Sequence, residues 1–533
     1  MCFFLMIRPP PRSTPFPYTT RFRSAARAFH DATKLSYINL LTKPPLYKSY
    51  PGLSQIRLPD APPPEMPALE AVSGAGIAAS GPLDLQAVAQ VLHYSAGLIR
   101  RSVSASAGEV HYRAAASAGA LYPIELYLVC GDLPGLTAGV YHYAPSDNAL
   151  TQLRAGDFRG NLAAAADDDS MAAMPATIVS AAVFWRSAWK YRARGYRYCF
   201  WDIGTVLANL LATANALGQP AHLIAGFVDR DVDQVIGVDS EQEASTCLVP
   251  LGAAGGLRPY VARALSPIDS GNLGFNEAIT YPESELLHVE ARLDTPQQVS
   301  DWRGHVHRFD DIRTPSIASK PLGETIVERG STRRFATDSI SKEQLSELLA
   351  ASSAPITADF GSGLTHPYLI VNAVDGVQPG AYHYSRESGE LELLKEGEFR
   401  AEAGHLCFEQ ALGADASAVI FFLADLDSAL ERLGNRGYRA AQLEAGLIGG
   451  NVYIAAHSLG LGATGMTFFD DAVTAFFSPH AAGKSLMFLV GLGRTGTPNR
   501  VRPFRSKYGV LKDSLARGAS GERRPVPDWL YSN

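Results

Sequence analysis

The chain predicts an α+β protein built from two copies of one domain. Three observations carry this. Short motifs recur about 241 residues apart: Gly139-Val-Tyr-His-Tyr143 is answered by Gly380-Ala-Tyr-His-Tyr384, and Arg194-Gly-Tyr-Arg197 by Arg436-Gly-Tyr-Arg439. Asp202-x-Gly204, with Asn209 and Gly218, is answered by Glu444-x-Gly446, with Asn451 and Gly460. A fixed long period marks a duplicated unit. Each copy also mixes strand-like runs with one long amphipathic helix, and 533 residues are too many for a single core.

Composition narrows the function classes. Hydrophobic residues make up 46% and charged residues 19%, as in ordinary globular proteins. A net charge of −6 gives no electrostatic footprint for nucleic acid or an acidic membrane. The five cysteines form neither a CxxC pair nor a metal spacing, which predicts small buried hydrophobes. No apolar run has the roughly 20 residues a membrane span requires, and the expected location is cytoplasmic.

The elements follow in order. Residues 1–24 carry four arginines, no acid and Pro9-Pro10-Pro11. They lack the start and apolar region of a secretory signal, although an Arg-rich, acid-free stretch imitates a transit peptide. The string MCFFLMIRPPPRSTPFPYTTRFRS resembles translated sequencing-adapter read-through, so this segment is expected to be non-native. Sequencing the locus checks that. Residues 25–65 read as an extended leader, because their prolines rule out a long helix. The first domain is expected over 66–260. It holds a helix at 83–98, the small-residue loop Ser117-Ala-Gly-Ala-Leu-Tyr-Pro123, and strands at 124–129, 139–143, 176–185 and 247–252. Its long helix at 202–217 should stop at Gly218, where a left-handed cap belongs. Residues 261–320 read as a linker with one possible helix near 297–308. The second domain, 321–500, repeats the plan with a helix at 342–350, strands at 368–372, 418–423 and 486–493, and a helix at 444–459. The tail 501–533 shows no clear period.

Several residues carry chemistry. Arg329-Gly-Ser-Thr-Arg333 sets two guanidiniums and a hydroxyl close enough to converge on one phosphate, since arginine's fork suits phosphate oxygens. The alternative is a solvated basic turn. Gly491-Leu-Gly-Arg494 closes the same repeat. Lys190-Tyr191 lies in a basic, aromatic segment. A free lysine is a poor base at neutral pH, but burial among Trp185, Trp189 and Tyr191, beside Arg186, Arg192 and Arg194, would lower its pKa. Tyr141, His142, Tyr143 and their copies 382–384 read as packing residues. His366 and His457 have no partner at ligand spacing, so no metal is expected. The retained Gly195-Tyr-Arg197 and Gly437-Tyr-Arg439 point to a shared structural task near the helix starts. Asp202 and Glu444 read as charges at those helix N-termini.

These motifs together resemble the nitroreductase-like flavoproteins. The carrying residues are Arg329-x-Ser331-x-Arg333, Ser-x-Gly with proline before a strand, and the closing Gly-x-Gly-Arg494. The first half is similar to one branch, the SagB-type dehydrogenases that oxidise azolines, through Arg186 to Arg197, Ser117 to Glu125, and His30-Asp-Ala-Thr-Lys34. The resemblance spans 25 to about 500. It implies two fused nitroreductase-like domains, each a central sheet flanked by helices, folding as a pseudo-dimer. It also implies bound FMN, with Arg329, Ser331, Arg333 and Arg494 at the phosphate. Ser117, Gly119 and Gly363, in the small-residue loops, together with Arg194 and Arg197, are the other implied cofactor neighbours. The branch's catalytic Lys-Tyr pair falls on Lys190 and Tyr191.

The copies diverge at these positions. Against Lys190-Tyr191 the second half has Arg432-Leu433. Against the Arg-Ser-Arg triplet the first half has Val72-Ser-Gly-Ala-Gly76, and against Arg494 it has Ala253. The expectation is therefore one productive FMN site, with the phosphate held by the second half and the Lys-Tyr pair supplied by the first. The rival is a flavin held by the first half alone through Arg100, Arg101, Arg194 and Arg197. The implied reaction is dehydrogenation of a thiazoline or oxazoline to an azole in peptide natural-product biosynthesis, with oxygen as the final acceptor. A separate cyclodehydratase is the implied partner, since no ATP-binding motif appears. Two other functions stay open: a general NAD(P)H-dependent nitro- or quinone reductase, and an inactive scaffold subunit.

Overall fold

Both long helices begin earlier than their apolar period suggests, and this extension positions the site. In the computed structural model they run Gly195–Ala216 and Arg436–Ser458. Asp202 and Glu444 therefore lie about two turns inside, buried, and not at the N-termini expected of them. The C-terminal stops are where the sequence puts them: Gly218 has φ 62° and Gly460 φ 74°, in the left-handed region where a Cβ is disfavoured. The structure describes residues 5–7, 35–37, 42–74, 81–104, 108–255, 262–268, 270–275, 278–303, 313–496 and 502–503. His30 to Lys34, Gly76, nearly all of 1–24 and most of the tail lie outside them.

Each half builds a six-stranded antiparallel sheet. The first runs, in spatial order, Glu243–Leu251, Ala176–Val183, Ile124–Cys130, Gly139–Ala144, Ala149–Ala155 and Gln55–Arg57. The second runs Leu391–Glu396, Gly380–Tyr384, Thr365–Val371, Ala418–Ala424, Ser485–Gly493 and Gly462–Gly465. Five strands correspond pair by pair; the sixth is added on opposite edges. The strand expected to reach Trp185 ends at Val183, and a helix, Phe184–Tyr191, takes over. The residues expected as a linker carry two helices, Pro282–Glu290 and Pro296–Trp302. Trp302 is buried and donates its indole N–H to the Leu433 carbonyl at 2.9 Å.

The halves meet along the two long helices. A Cβ built on Gly204 would sit 2.4 Å from the Gly446 carbonyl carbon, and one on Gly446 2.7 Å from Trp201 Cα. The helices touch backbone to backbone, a contact only glycine permits. One apolar core accordingly runs through both halves.

The repeated Arg-Gly-Tyr-Arg motif is a reciprocal clasp across this contact. Arg194 and Arg197 reach Asp470, the first residue of helix Asp470–Phe477 in the second half, at 2.8 and 2.5 Å. Arg436 and Arg439 reach Asp229, the first residue of helix Asp229–Ile236 in the first half, at 2.5 and 3.1 Å. Each aspartate also faces the positive end of its own helix. The Arg436 and Arg439 clasp is buried, and Arg439 adds a bond to Tyr196 Oη at 2.8 Å.

Gly204→Val forces the helices apart and is expected to destabilise by about 2–3 kcal/mol, as overpacking does. Thermal denaturation against a control substitution at exposed Glu283 measures it.

Candidate functional site

A cavity of about 700 Å³ opens between the halves, within the size range of ligand pockets. The first half contributes the loop 116–119, Lys190, Tyr191, Trp201, Asp202 and Thr205; the second contributes Ser331, Arg333, Tyr453, the loops at 408–410 and 464–467, and Phe488.

The loop at Ser117 is fixed from below. Asp202 accepts hydrogen bonds from Ser117 Oγ at 2.5 Å and Ala118 N at 3.1 Å. The extended helix is what brings its carboxyl there. Burial pushes the Asp202 carboxyl up to about 7, against the pull of those two bonds. Glu444 holds the matching loop of the second half, accepting from Gly363 N at 2.6 Å and Thr365 N at 2.7 Å.

Lys190 and Tyr191 end the helix Phe184–Tyr191 and converge on the same loop. A Cβ built on Gly119 would lie 3.0 Å from Tyr191 Oη and 3.1 Å from Lys190 Nζ. Gly119 also has φ 65°, so any side chain here would be strained as well as crowded. Burial, then the charges of Lys43 and Arg333, lower the Lys190 pKa. The direction agrees with the sequence argument, but the cations differ from those expected. Arg186 is instead buried in an ion pair with Glu125, and Trp185 and Trp189 pack in a separate small cluster with Leu121. Burial raises the Tyr191 phenol, helped by Tyr198 and Asp202. Tyr191 stacks on Tyr198 at 4.1 Å, and Tyr198 meets Trp201 edge-on at 4.4 Å. A planar ring system thus has an aromatic wall to lie against.

On the opposite side, Ser331 Oγ is 3.3 Å from Tyr453 Oη. Arg333 is exposed at the cavity. Arg329 is buried just behind it, over the Tyr453 ring at 5.4 Å, with one N–H donated to the Ala114 carbonyl and its Nε unpartnered. Arg100 is also buried, its Nε unpartnered too; burial and the Arg329 charge bring it down to about 9. Among the described residues, no carboxylate pairs with Arg100, Arg329 or Arg333. Buried guanidiniums without a counter-charge are costly unless an anion neutralises them. The residue set therefore fits a ligand with a phosphate and a planar ring.

The other expected cofactor residues stand elsewhere. Arg494 donates its Nε to the Ser339 carbonyl at 2.8 Å and is exposed away from the cavity lining. Arg194 and Arg197 are spent on Asp470. Gly363 lies in the second half's counterpart of the Ser117 loop and does not line the cavity. Sequence reasoning missed Asp202 as the brace of the loop, and Tyr453, Phe408 and Met466 as walls. Asp202 was visible as a repeat position; the three walls carry no sequence signal.

The chain belongs to the nitroreductase family, whose model matches twice, over residues 81–253 and 326–494. Over 174 residues it is 28% identical to a protein described as a nitroreductase from Methanocaldococcus jannaschii, covering 32% of this chain and 82% of that protein. Over 134 residues it is 28% identical to the microcin B17-processing protein McbC of Escherichia coli, covering 24% of this chain and 49% of that one. The match thus spans about half of McbC. A crystal structure described as a nitroreductase from Anabaena variabilis aligns with 86% of this chain and 95% of its own, at TM-score 0.70 and 26% identity. The tandem architecture is shared with that structure over nearly its whole length.

The raised Asp202 pKa gives a sign that can be tested. A group whose pKa is raised on folding stabilises the fold relative to higher pH only while protonated, so its contribution is lost as pH rises from about 4 to about 7. Asp202→Asn should flatten the fall in thermal midpoint across that window, measured against the unsubstituted chain.

Proposed function

We propose that the chain is an FMN-dependent dehydrogenase that oxidises thiazoline or oxazoline rings in a peptide to azoles, using one site shared between its halves. The observation carrying this is the cavity in which Lys190 and Tyr191 of the first half face Ser331 and Arg333 of the second, with Arg329 behind. The relatedness to McbC supports a peptide substrate.

Arg333, Ser331, Arg329 and Arg100 would hold the FMN phosphate, and Tyr191, Tyr198 and Trp201 would flank its rings. Bound FMN supplies the two-electron acceptor, with dioxygen as terminal oxidant. The rest falls to the protein. Aromatising an azoline removes a hydride from one ring carbon and a proton from its neighbour. Lys190, kept neutral more readily by burial and by the Arg333 charge, takes that proton on Nζ. Tyr191, whose phenol stays protonated, donates a hydrogen bond that orients the ring. Asp202 fixes the backbone of Ser117 and Ala118 at the floor. A cyclodehydratase that makes the azoline is the partner this reaction requires.

Arg329→Ala combined with Arg333→Ala should abolish the flavin absorbance of the purified protein; full flavin content would sink the shared site. Lys190→Ala should retain flavin yet slow azole formation by about 10²-fold or more, followed as loss of two hydrogens in the mass of an azoline peptide. Fast NADPH oxidation with no azoline turnover would favour a general reductase.

A further inference from the structure

The two sheets are laid out alike, so corresponding positions show what each half has changed. In the first, Tyr127 and His142 stand against each other with ring centroids 5.2 Å apart. Their surroundings are closed by charge pairs: Lys48 Nζ to Glu243 at 2.5 Å, Tyr127 Oη to Glu243 at 2.6 Å, and His142 to Glu125 at 3.0 Å. All are buried. The second sheet keeps the tyrosine and histidine as Tyr368 and His383, 5.1 Å apart. His366 occupies the strand position of Glu125. The tyrosine hydroxyl that meets Lys48 and Glu243 in the first sheet meets His480 in the second, and Glu392 stands across from the histidine where the first sheet has Thr151.

We propose that His383, Glu392 and His480 bind a divalent transition-metal ion of the zinc class, clasping the turn at His480 to the outer hairpin of the second sheet. Glu392 faces His383 directly across that hairpin. Its Oε2 is 3.8 Å from His383 Nδ1 and 3.8 Å from His480 Nε2, and all three donor atoms fall within 4.8 Å of one another. Tetrahedral zinc with bonds of about 2.0–2.1 Å sets ligands roughly 3.4 Å apart, so Glu392 must close on each histidine by about half an ångström, and the two histidine nitrogens, within 4.8 Å of each other, on one another by up to about 1.4 Å. Glu392 is 62% exposed and free to make that adjustment. Two imidazoles and one carboxylate suit zinc and its neighbours better than calcium or magnesium, and water takes the remaining position.

The outer shell is already in place. Tyr368 Oη lies 2.9 Å from His480 Nδ1 and 3.4 Å from the His480 carbonyl. Accepting from Nδ1–H while donating to the carbonyl, it leaves the Nε2 lone pair facing Glu392. A histidine ligand oriented through its other nitrogen is the usual arrangement at metal centres. The sequence gives no ligand spacing because folding, not local order, gathers positions 383, 392 and 480.

The test titrates Zn²⁺ into the full flavin-containing chain after chelator treatment, by calorimetry and by thermal midpoint. One equivalent should bind and raise the midpoint. His480→Ala and Glu392→Gln should each weaken binding at least 10-fold while metal-free midpoint and flavin content stay as in the unsubstituted chain. No binding, or one-equivalent binding unchanged by these substitutions, overturns the site. If His480→Ala fails to fold, Glu392→Gln at an exposed side chain decides. Because the readout is zinc affinity, the result is independent of the proposed reaction.

Discussion

The crossing of the two long helices at Gly204 and Gly446 governs the rest of the molecule. A backbone contact this close excludes any side chain at either position, and it fixes one half against the other with little freedom to slide. The Arg-Gly-Tyr-Arg clasps lie N-terminal to the crossing on both helices and act in the same sense. Each ties a long helix in one half to the start of a helix in the other. The cavity is a consequence, because its walls come from both sides of that junction.

Within this symmetric frame the chemistry is unequal. Asp202 and Glu444 do the same mechanical work, holding a small-residue loop by its backbone N–H groups. Only the loop at Ser117 faces Lys190 and Tyr191; the counterpart helix Leu426–Leu433 ends in Arg432 and Leu433, which offer neither a base nor a phenol. The guanidiniums of Arg329 and Arg333 have no equivalent in the first copy. Arg100, from the first half, adds its charge beside Arg329, so positive charge gathers on one side of the cavity with no carboxylate paired to it among the described residues. Duplication supplied two frames, and divergence concentrated the reactive groups of both around one opening.

The sequence by itself determined the duplication, the α+β class, the central strands and the glycine stops of the long helices. These are local facts: period, propensity and residue type report them directly. It misjudged where the long helices start, since the apolar period is broken there by Arg197, Arg436 and Arg439, which reach into the other half, and by Asp202 and Glu444, which brace a loop of their own half. It took Asp202 and Glu444 for terminal charges for that reason, and it gave Arg194 and Arg197 to a cofactor. Only the tertiary structure decided that those arginines grip Asp470, that Arg100 and Arg329 are buried neighbours, and that Phe408, Tyr453 and Met466 are walls. Each of these depends on contacts between residues hundreds of positions apart, which exist only once Gly204 and Gly446 have brought the two helices together.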